Sequence, residues 1–263
     1  MTKKKKTLGF ALGSGGSRGV AHLGFLKAME EEKLVPDYIT GCSMGSVVGA
    51  GYAAGVSVDD MYKAVRKLRL LDLIAPTGRR GGLFETKKIR KLLERYFGNP
   101  EFSELKIPFR CVAVDMIEQR VVEFSEGKVI DAVIASSSIP AVFRPMEQDG
   151  MRLIDGGILE RVPYLQLKGM GADVVVCVDV LGKRATNEKM PSTLGVLLET
   201  IDLMDNYRTA KRRKENEDII DFWIEPELGD MSQYSLKRMD FAFEKGYEIG
   251  QKYAKEIKKA LKA

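Results

Sequence analysis

Histidine is almost absent from this chain: His22 is the only one in 263 residues. A Ser-His-Asp triad would have to use it or not exist. Cysteine is scarce too. Cys42, Cys111 and Cys177 lie 69 and 66 residues apart, a spacing that fits no zinc site and a number that cannot pair completely. A reducing compartment is therefore expected, with no metal and no other cofactor. No apolar run approaches the ~18 residues that cross a bilayer; Val174 to Val178, among the longest, is of strand length. The first 30 residues also lack the apolar centre of a secretory signal. The expected location is the cytoplasm, with any membrane contact peripheral and at the inner face.

Excess charge is missing from the body of the chain. The formal charge of +5 comes from 42 Lys and Arg against 37 Asp and Glu, but Lys3 to Lys6 contribute +4 and residues 250–263 another +4, leaving −3 between them. A nucleic-acid binder needs a basic face in its folded part, and none is visible. The basic ends read as solvated tails, with weak attraction to an anionic membrane as the rival. The oligomeric state is not legible.

What is present is globular: 44% hydrophobic and 30% charged residues, enough to bury a sizeable core. Residues 1–263 are expected to form one unit, with a core at about 7–180, a linker-like stretch at 181–193 and a helical part at about 194–263. Short apolar runs alternate with helical patterns, predicting an α/β fold with a mainly parallel central sheet covered by helices. Strands are expected at 7–12, 38–42, 109–116, 120–124, 151–154 and 174–179, and an extended piece at 222–224. Helices are expected at about 17–33, 44–55, 58–70, 86–97, 129–136, 194–217 and 236–262, so that the order reads β-α-β-α throughout.

Three motifs carry chemistry. Gly41-Cys42-Ser43-Met44-Gly45 is a G-x-S-x-G sequence between a strand and a helix of small residues. Alone it is a weak signal. In this setting a nucleophilic serine at a sharp elbow needs Gly41 and Gly45 because backbone approaches too closely for a Cβ. Gly13-Ser14-Gly15-Gly16-Ser17-Arg18-Gly19 follows the first strand and opens a helix. Its free N–H groups suit either a phosphate or the oxyanion of an acyl intermediate. It lacks the Lys-Ser/Thr ending of a P-loop and the acidic residue expected about 20 positions on in dinucleotide folds, so a non-catalytic nucleotide- or phosphate-binding role is the alternative reading. Asp155-Gly156-Gly157 closes another strand. Asp115 and Asp179 also end strands, but only Asp155 has glycines that let a second loop come close. His22 lies about one turn into the helix whose start would supply the anion donors, so it is expected to pack or hydrogen-bond rather than act as base. A Ser43-Asp155 dyad remains, and with no imidazole its activity is expected to lack a histidine-like midpoint near ~6.5.

These blocks, together with Ala135-Ser136-Ser137-Ser138-Ile139-Pro140-Ala141-Val142-Phe143-Arg144-Pro145, resemble the bacterial patatin-like phospholipases, a family of Ser-Asp dyad lipid acyl hydrolases. The likeness covers about residues 7–180. It implies a three-layer α/β/α fold and calcium-independent cleavage of fatty acyl esters, phospholipids or lysophospholipids, through an acyl-Ser43 intermediate. By resemblance, Asp155 is the base, and amides around Gly15, Gly16, Ser17 and Arg18 form the oxyanion hole. Met44 and Phe143 are candidates for lining the acyl site. The chain departs from the family pattern in two places. Ser14 replaces the first glycine of the loop, and Glu160-Arg161 stand where Asn is frequent. Residues 68–83, apolar and then basic with Arg79-Arg80, are a candidate lid. Tyr253, Ile257 and Leu261 form a stripe read chiefly as packing, with membrane contact as the rival.

Overall fold

The computed structural model describes residues 5–73, 75–78, 81–182 and 192–263, the side chains of Leu70 and Leu194 excepted. Lys3 and Lys4, the Ile74, Arg79 and Arg80 of the candidate lid, and most of the linker-like stretch lie outside the described residues.

β1 (Leu8–Leu12) passes through the glycine loop and a 3-10 turn at Gly16–Gly19 into α1 (Val20–Glu31). β2 (Tyr38–Cys42) runs into α2 (Met44–Ala53). α3 (Val58–Arg66) follows, started by Ser57, whose hydroxyl accepts the Asp60 N–H. Next come α4 (Leu70–Leu73), β3 (Ala75–Pro76), β4 (Gly82–Glu85) and α5 (Lys87–Phe97). The centre holds β5 (Phe109–Asp115), β6 (Arg120–Phe124), α6 (Val129–Ser136), β7 (Ala141–Phe143), β8 (Met146–Gln148) and β9 (Met151–Asp155). The chain closes with α7 (Tyr164–Gly169), β10 (Val174–Val178), α8 (Thr193–Glu215), β11 (Phe222–Ile224) and α9 (Met239–Lys262).

The main sheet has the order β11-β10-β1-β2-β5-β9-β8, with β6 also on β5. Its β10, β11, β1, β2 and β5 pair in parallel, while β6, β8 and β9 pair antiparallel. The expected β-α-β-α order therefore fails between β5 and β9, where hairpins replace crossovers. β3, β4 and β7 form a separate three-stranded sheet that the sequence did not reveal.

Alternation along the central strands makes the three layers. Leu8, Phe10 and Leu12 of β1, with Val174, Val176 and Val178 of β10, join a core with residues of α1, α2, α6 and α9. Ala11, Val175 and Cys177 point the other way, onto Tyr164 and Leu167 of α7. α9 lies tight on α1. A Cβ on Gly246 would come within 1.9 Å of the Ala21 carbonyl oxygen, so only glycine permits this approach. The stripe on α9 is covered by packing: Ile257 is fully buried, and Tyr253 meets the Phe222 ring edge-on with centroids 6.3 Å apart.

Register brings the sequence motifs together. On one side of β5, Gly41 and Cys42 of β2 pair with Cys111 and Val112, and the next residue, Ala113, pairs with Asp155 of β9. The opposite side of β5 is occupied by β6 from Cys111 to Asp115. β2 and β9 therefore end head to head along one edge, which sets the turn after Cys42 beside Asp155.

Candidate active site

Ser43 sits at that turn with φ 52° and ψ −121°, a strained backbone for a residue with a side chain. The strain is held from several sides. The Ser43 amide N–H donates to Ser136 Oγ at 2.9 Å, and the Ser43 carbonyl accepts from Ser46 Oγ at 2.6 Å. A Cβ on Gly45 would lie 2.1 Å from the Leu12 carbonyl oxygen, and one on Gly41 2.6 Å from the Gly45 carbonyl oxygen. Both elbow glycines are thus demanded by close backbone contact.

Ser43 Oγ donates to Asp155 Oδ2 at 2.5 Å. The other carboxylate oxygen accepts the Gly157 N–H at 2.8 Å and, weakly, the Cys42 thiol at 3.9 Å. The Asp155 N–H donates to the Ser138 carbonyl at 2.9 Å, so one serine-rich segment at the end of α6 holds both partners. A Cβ on Gly156 would lie 2.4 Å from the Val112 carbonyl oxygen. Ser43 and Asp155 are only 4% and 5% exposed. Burial, reinforced by the charge of Asp205, pushes the Asp155 carboxyl up to about 6 despite the hydrogen bonds that favour its charged form.

The rival acids are otherwise engaged. Asp115 Oδ1 accepts the N–H groups of Ile117 and Arg152, which hold its carboxyl below the usual range and brace the β5–β6 turn. Asp179 accepts from Arg161 at 2.7 Å and from the Leu181 N–H at 3.1 Å. His22 is fully buried, its Nε2 2.8 Å from the Gly13 carbonyl oxygen, and burial lowers it to about 4. The ring is neutral at ordinary pH, so Nε2–H donates to that carbonyl and steadies the glycine loop.

The four loop amides are not equivalent. Ser17 N–H donates to the Gln233 carbonyl at 2.9 Å and Arg18 N–H to the Gly15 carbonyl at 3.0 Å, so these two do not face an anion. Among the described residues, the amides of Gly15 and Gly16 have no protein acceptor. Gly16, at φ 50°, lines the cavity at Ser43 together with Ser14. The Arg18 guanidinium is buried and bonds the carbonyls of Val180 at 2.7 Å and Met231 at 3.2 Å, a structural tie rather than an anion clamp.

The cavity's apolar wall is formed by Ile139, Pro140, Ile158, Leu181, Leu198 and Ile201, and its polar side includes Asp202, Asp205, Gln233 and Tyr234. Met44 and Phe143 are not part of it. Met44 leans on Gly19, where a Cβ would lie 2.2 Å from its Cγ, and Phe143 is 8% exposed within β7. The sequence reading missed the contribution of α8, whose Leu198, Ile201, Asp202 and Asp205 all reach the site. No motif marks them; only the period of their spacing, about one turn, would have pointed to a shared face. Among the described residues, no group of three or more His, Cys, Asp or Glu is placed to hold a metal ion.

Comparison with known proteins places this geometry. The model of the patatin-like phospholipase family matches residues 10–168, which contain the glycine loop, the Ser43 elbow and Asp155. The chain belongs to that family. It is 36% identical over 178 residues to an uncharacterized NTE family protein of Mycobacterium tuberculosis, covering 66% of this chain and 49% of that protein. It is 33% identical over 184 residues to lysophospholipase nte1 of Aspergillus fumigatus, covering 66% of this chain and 12% of that protein. The chain thus spans about half the length, or less, of these curated relatives. In fold it is similar to VipD of Legionella pneumophila, with a TM-score of 0.55 at 13% identity, covering 95% of this chain and 67% of that one.

Within the family pattern, the departures at Glu160 and Arg161 acquire a structural account. Arg161 bridges Asp179 at 2.7 Å and Asp205 at 3.0 Å, and Glu160 pairs with Arg212 at 3.0 Å. The pairs with Asp205 and Arg212 fasten the loop after Asp155 to α8, and the pair with Asp179 ties it to the end of β10. Ser14 is accommodated too, its N–H donating to the Arg161 carbonyl at 3.0 Å.

Proposed function

We propose that the chain is a serine acyl hydrolase that cleaves fatty acyl esters of phospholipids or lysophospholipids through an acyl-Ser43 intermediate. The observation that carries the reading is the 2.5 Å contact from Ser43 Oγ to a buried Asp155 carboxylate at a strained elbow. Ser43 Oγ attacks the ester carbonyl as its proton passes to Asp155. The oxyanion forms next to the open amides of Gly15 and Gly16 and at the N-terminus of α2. Collapse expels the alcohol, which takes the proton from Asp155. Water, deprotonated by Asp155, then attacks the acyl carbon, and collapse releases the fatty acid and Ser43, whose Oγ takes the proton back from Asp155.

The apolar cavity wall supports a fatty chain as the acyl part. The name of the fungal relative supports a lysophospholipid as one substrate. The nucleotide- or phosphate-binding alternative has less support, because Ser14, Ser17 and Arg18 have already spent their amides on protein carbonyls. Fluorophosphonate labelling with peptide mapping tests the proposal. Label on Ser43 that disappears in Ser43→Ala and Asp155→Asn is the expected result. A folded chain that takes no label, and is instead stabilised by nucleotides, would favour the alternative.

A further inference from the structure

A second feature lies away from Ser43, in a groove between α3–α4 and α5. Its rim carries Lys67, Lys88, Lys91 and Arg95, against a single lining carboxylate, Asp72. That carboxylate accepts the Arg69 N–H at 2.9 Å and caps its own turn. Lys88 Nζ donates to the Leu71 carbonyl at 2.6 Å and ties α4 to α5. Among the described residues, Lys67, Lys91 and Arg95 have no acidic partner, which sets them apart from Arg90, paired with Asp131 on the inner side of α5. Between the cations the surface is apolar. Leu71 is 71% exposed and Tyr96 39%, and Leu83 of β4, a short way along the chain, is 52% exposed.

Protruding leucine and tyrosine among unpaired lysine and arginine is the composition that settles on an anionic bilayer. The apolar tips enter the headgroup layer while the cations reach lipid phosphates. A folded acidic protein would satisfy the charges but leave Leu71 projecting. The fold links this face to the catalytic cavity. Leu83 and Phe84 lie on β4, which pairs with β7, and β7 begins immediately after Ile139 and Pro140 of the cavity wall. The Arg144 N–H further donates to the Phe84 carbonyl at 2.9 Å. We infer that the α4–α5 face docks the protein on the surface of an anionic phospholipid bilayer, with Leu71 inserted and Lys67, Lys91 and Arg95 on lipid phosphates. The inference rests on the proposed lipid hydrolase reading for its purpose: the bilayer is where the substrate resides.

The test is co-sedimentation of the full chain, carrying Ser43→Ala so that lipid is not consumed, with vesicles of phosphatidylcholine alone or with one-third phosphatidylglycerol. Binding to the anionic vesicles and much weaker binding to the neutral ones is expected. Each surface cation contributes about 1 kcal/mol near such a membrane, roughly fivefold in affinity, so Lys67→Gln/Lys91→Gln/Arg95→Gln is expected to lose about a hundredfold. Leu71→Ser is expected to lose several-fold on its own. No binding by the parent, equal binding to both vesicles, or full binding by the triple variant would overturn the inference. Turnover of a soluble short-chain ester by the Ser43-intact chain separates the two claims. The triple variant is expected to keep that turnover. Its absence in the parent, with the vesicle pattern intact, would sink the hydrolase reading and leave the docking face standing.

Discussion

Ser136 Oγ accepts the amide N–H of Ser43 at 2.9 Å, so the residue at the strained elbow is held by the last turn of α6. Without that acceptor the Ser43 N–H is buried and unpaired, which costs ~1–3 kcal/mol and removes a restraint on its positive φ. Ser136→Ala is therefore expected to lower stability by that amount in urea titration. It is also expected to slow fluorophosphonate labelling of Ser43 at least tenfold, with a smaller change in KM than in kcat. Unchanged labelling in a folded variant would show that Gly41 and Gly45 suffice to hold the elbow.

A base must be ionised to accept the Ser43 proton, and burial has moved Asp155 to about 6. For a soluble ester, kcat/KM is expected to rise with pH through a midpoint near that value. This corrects the expectation from sequence that a dyad without histidine shows no titration in this range. The midpoint belongs to a carboxylate. His22, lowered to about 4, is neutral across the whole rise, so His22→Gln is expected to leave the midpoint in place. Asp205→Asn removes a nearby negative charge and is expected to lower it.

The elbow, the glycine loop and the Asp155 loop were legible because each is a local pattern with a physical demand for glycine. Their meeting was named in the Ser43-Asp155 dyad, but the register that brings it about, β2 and β9 ending at adjacent residues of β5, lies outside any local pattern. The antiparallel turns from β5 to β9 also escaped. β7 and β8 have three residues each, too short for an alternating pattern to declare itself. Arg161, Asp179 and Asp205 come from a loop, a strand end and a helix, and nothing in the order of residues announces that they will be buried together. Met44 and Phe143 were natural choices for an acyl site because they are apolar and near the motifs in sequence. The chain instead spends them on packing and brings the cavity wall from α8.

A folded-state carboxyl raised to about 6 binds its proton more tightly than the unfolded chain does. Ionised Asp155 therefore works against folding above pH 6, by ~3 kcal/mol for a displacement of about two units from the model-peptide value. Asp155→Asn has no charge to bury and keeps an acceptor for the Gly157 N–H. The variant is expected to lose activity yet gain stability at pH 8. The gain should shrink as pH falls through 6 and vanish toward the ordinary carboxylate range. Chemical denaturation at pH 8, 6 and 4 measures it, and a pH-independent difference would show that burial of the charge is not its source.

Arg161 presents the opposite case, a buried cation between two carboxylates, with Asp179 at 2.7 Å and Asp205 at 3.0 Å. Replacing it with Met fills similar space but leaves two negative charges facing each other in a site shielded from water. Removing one partner of a buried pair costs ~3–5 kcal/mol, and the cost here is expected near the upper end at pH 8. Acid should relieve it, because Asp205, whose carboxyl burial already raises, can then take up a proton. The effect reaches the chemistry through Asp205, which lines the cavity at Ser43 and already raises the Asp155 carboxyl. Without Arg161, the field of Asp205 is offset, among the described residues, only by Arg208 at 3.4 Å, so the pH midpoint of kcat/KM is expected to move above 6. A destabilised Arg161→Met with an unmoved midpoint would mean that the ion cluster fastens α8 without tuning the base.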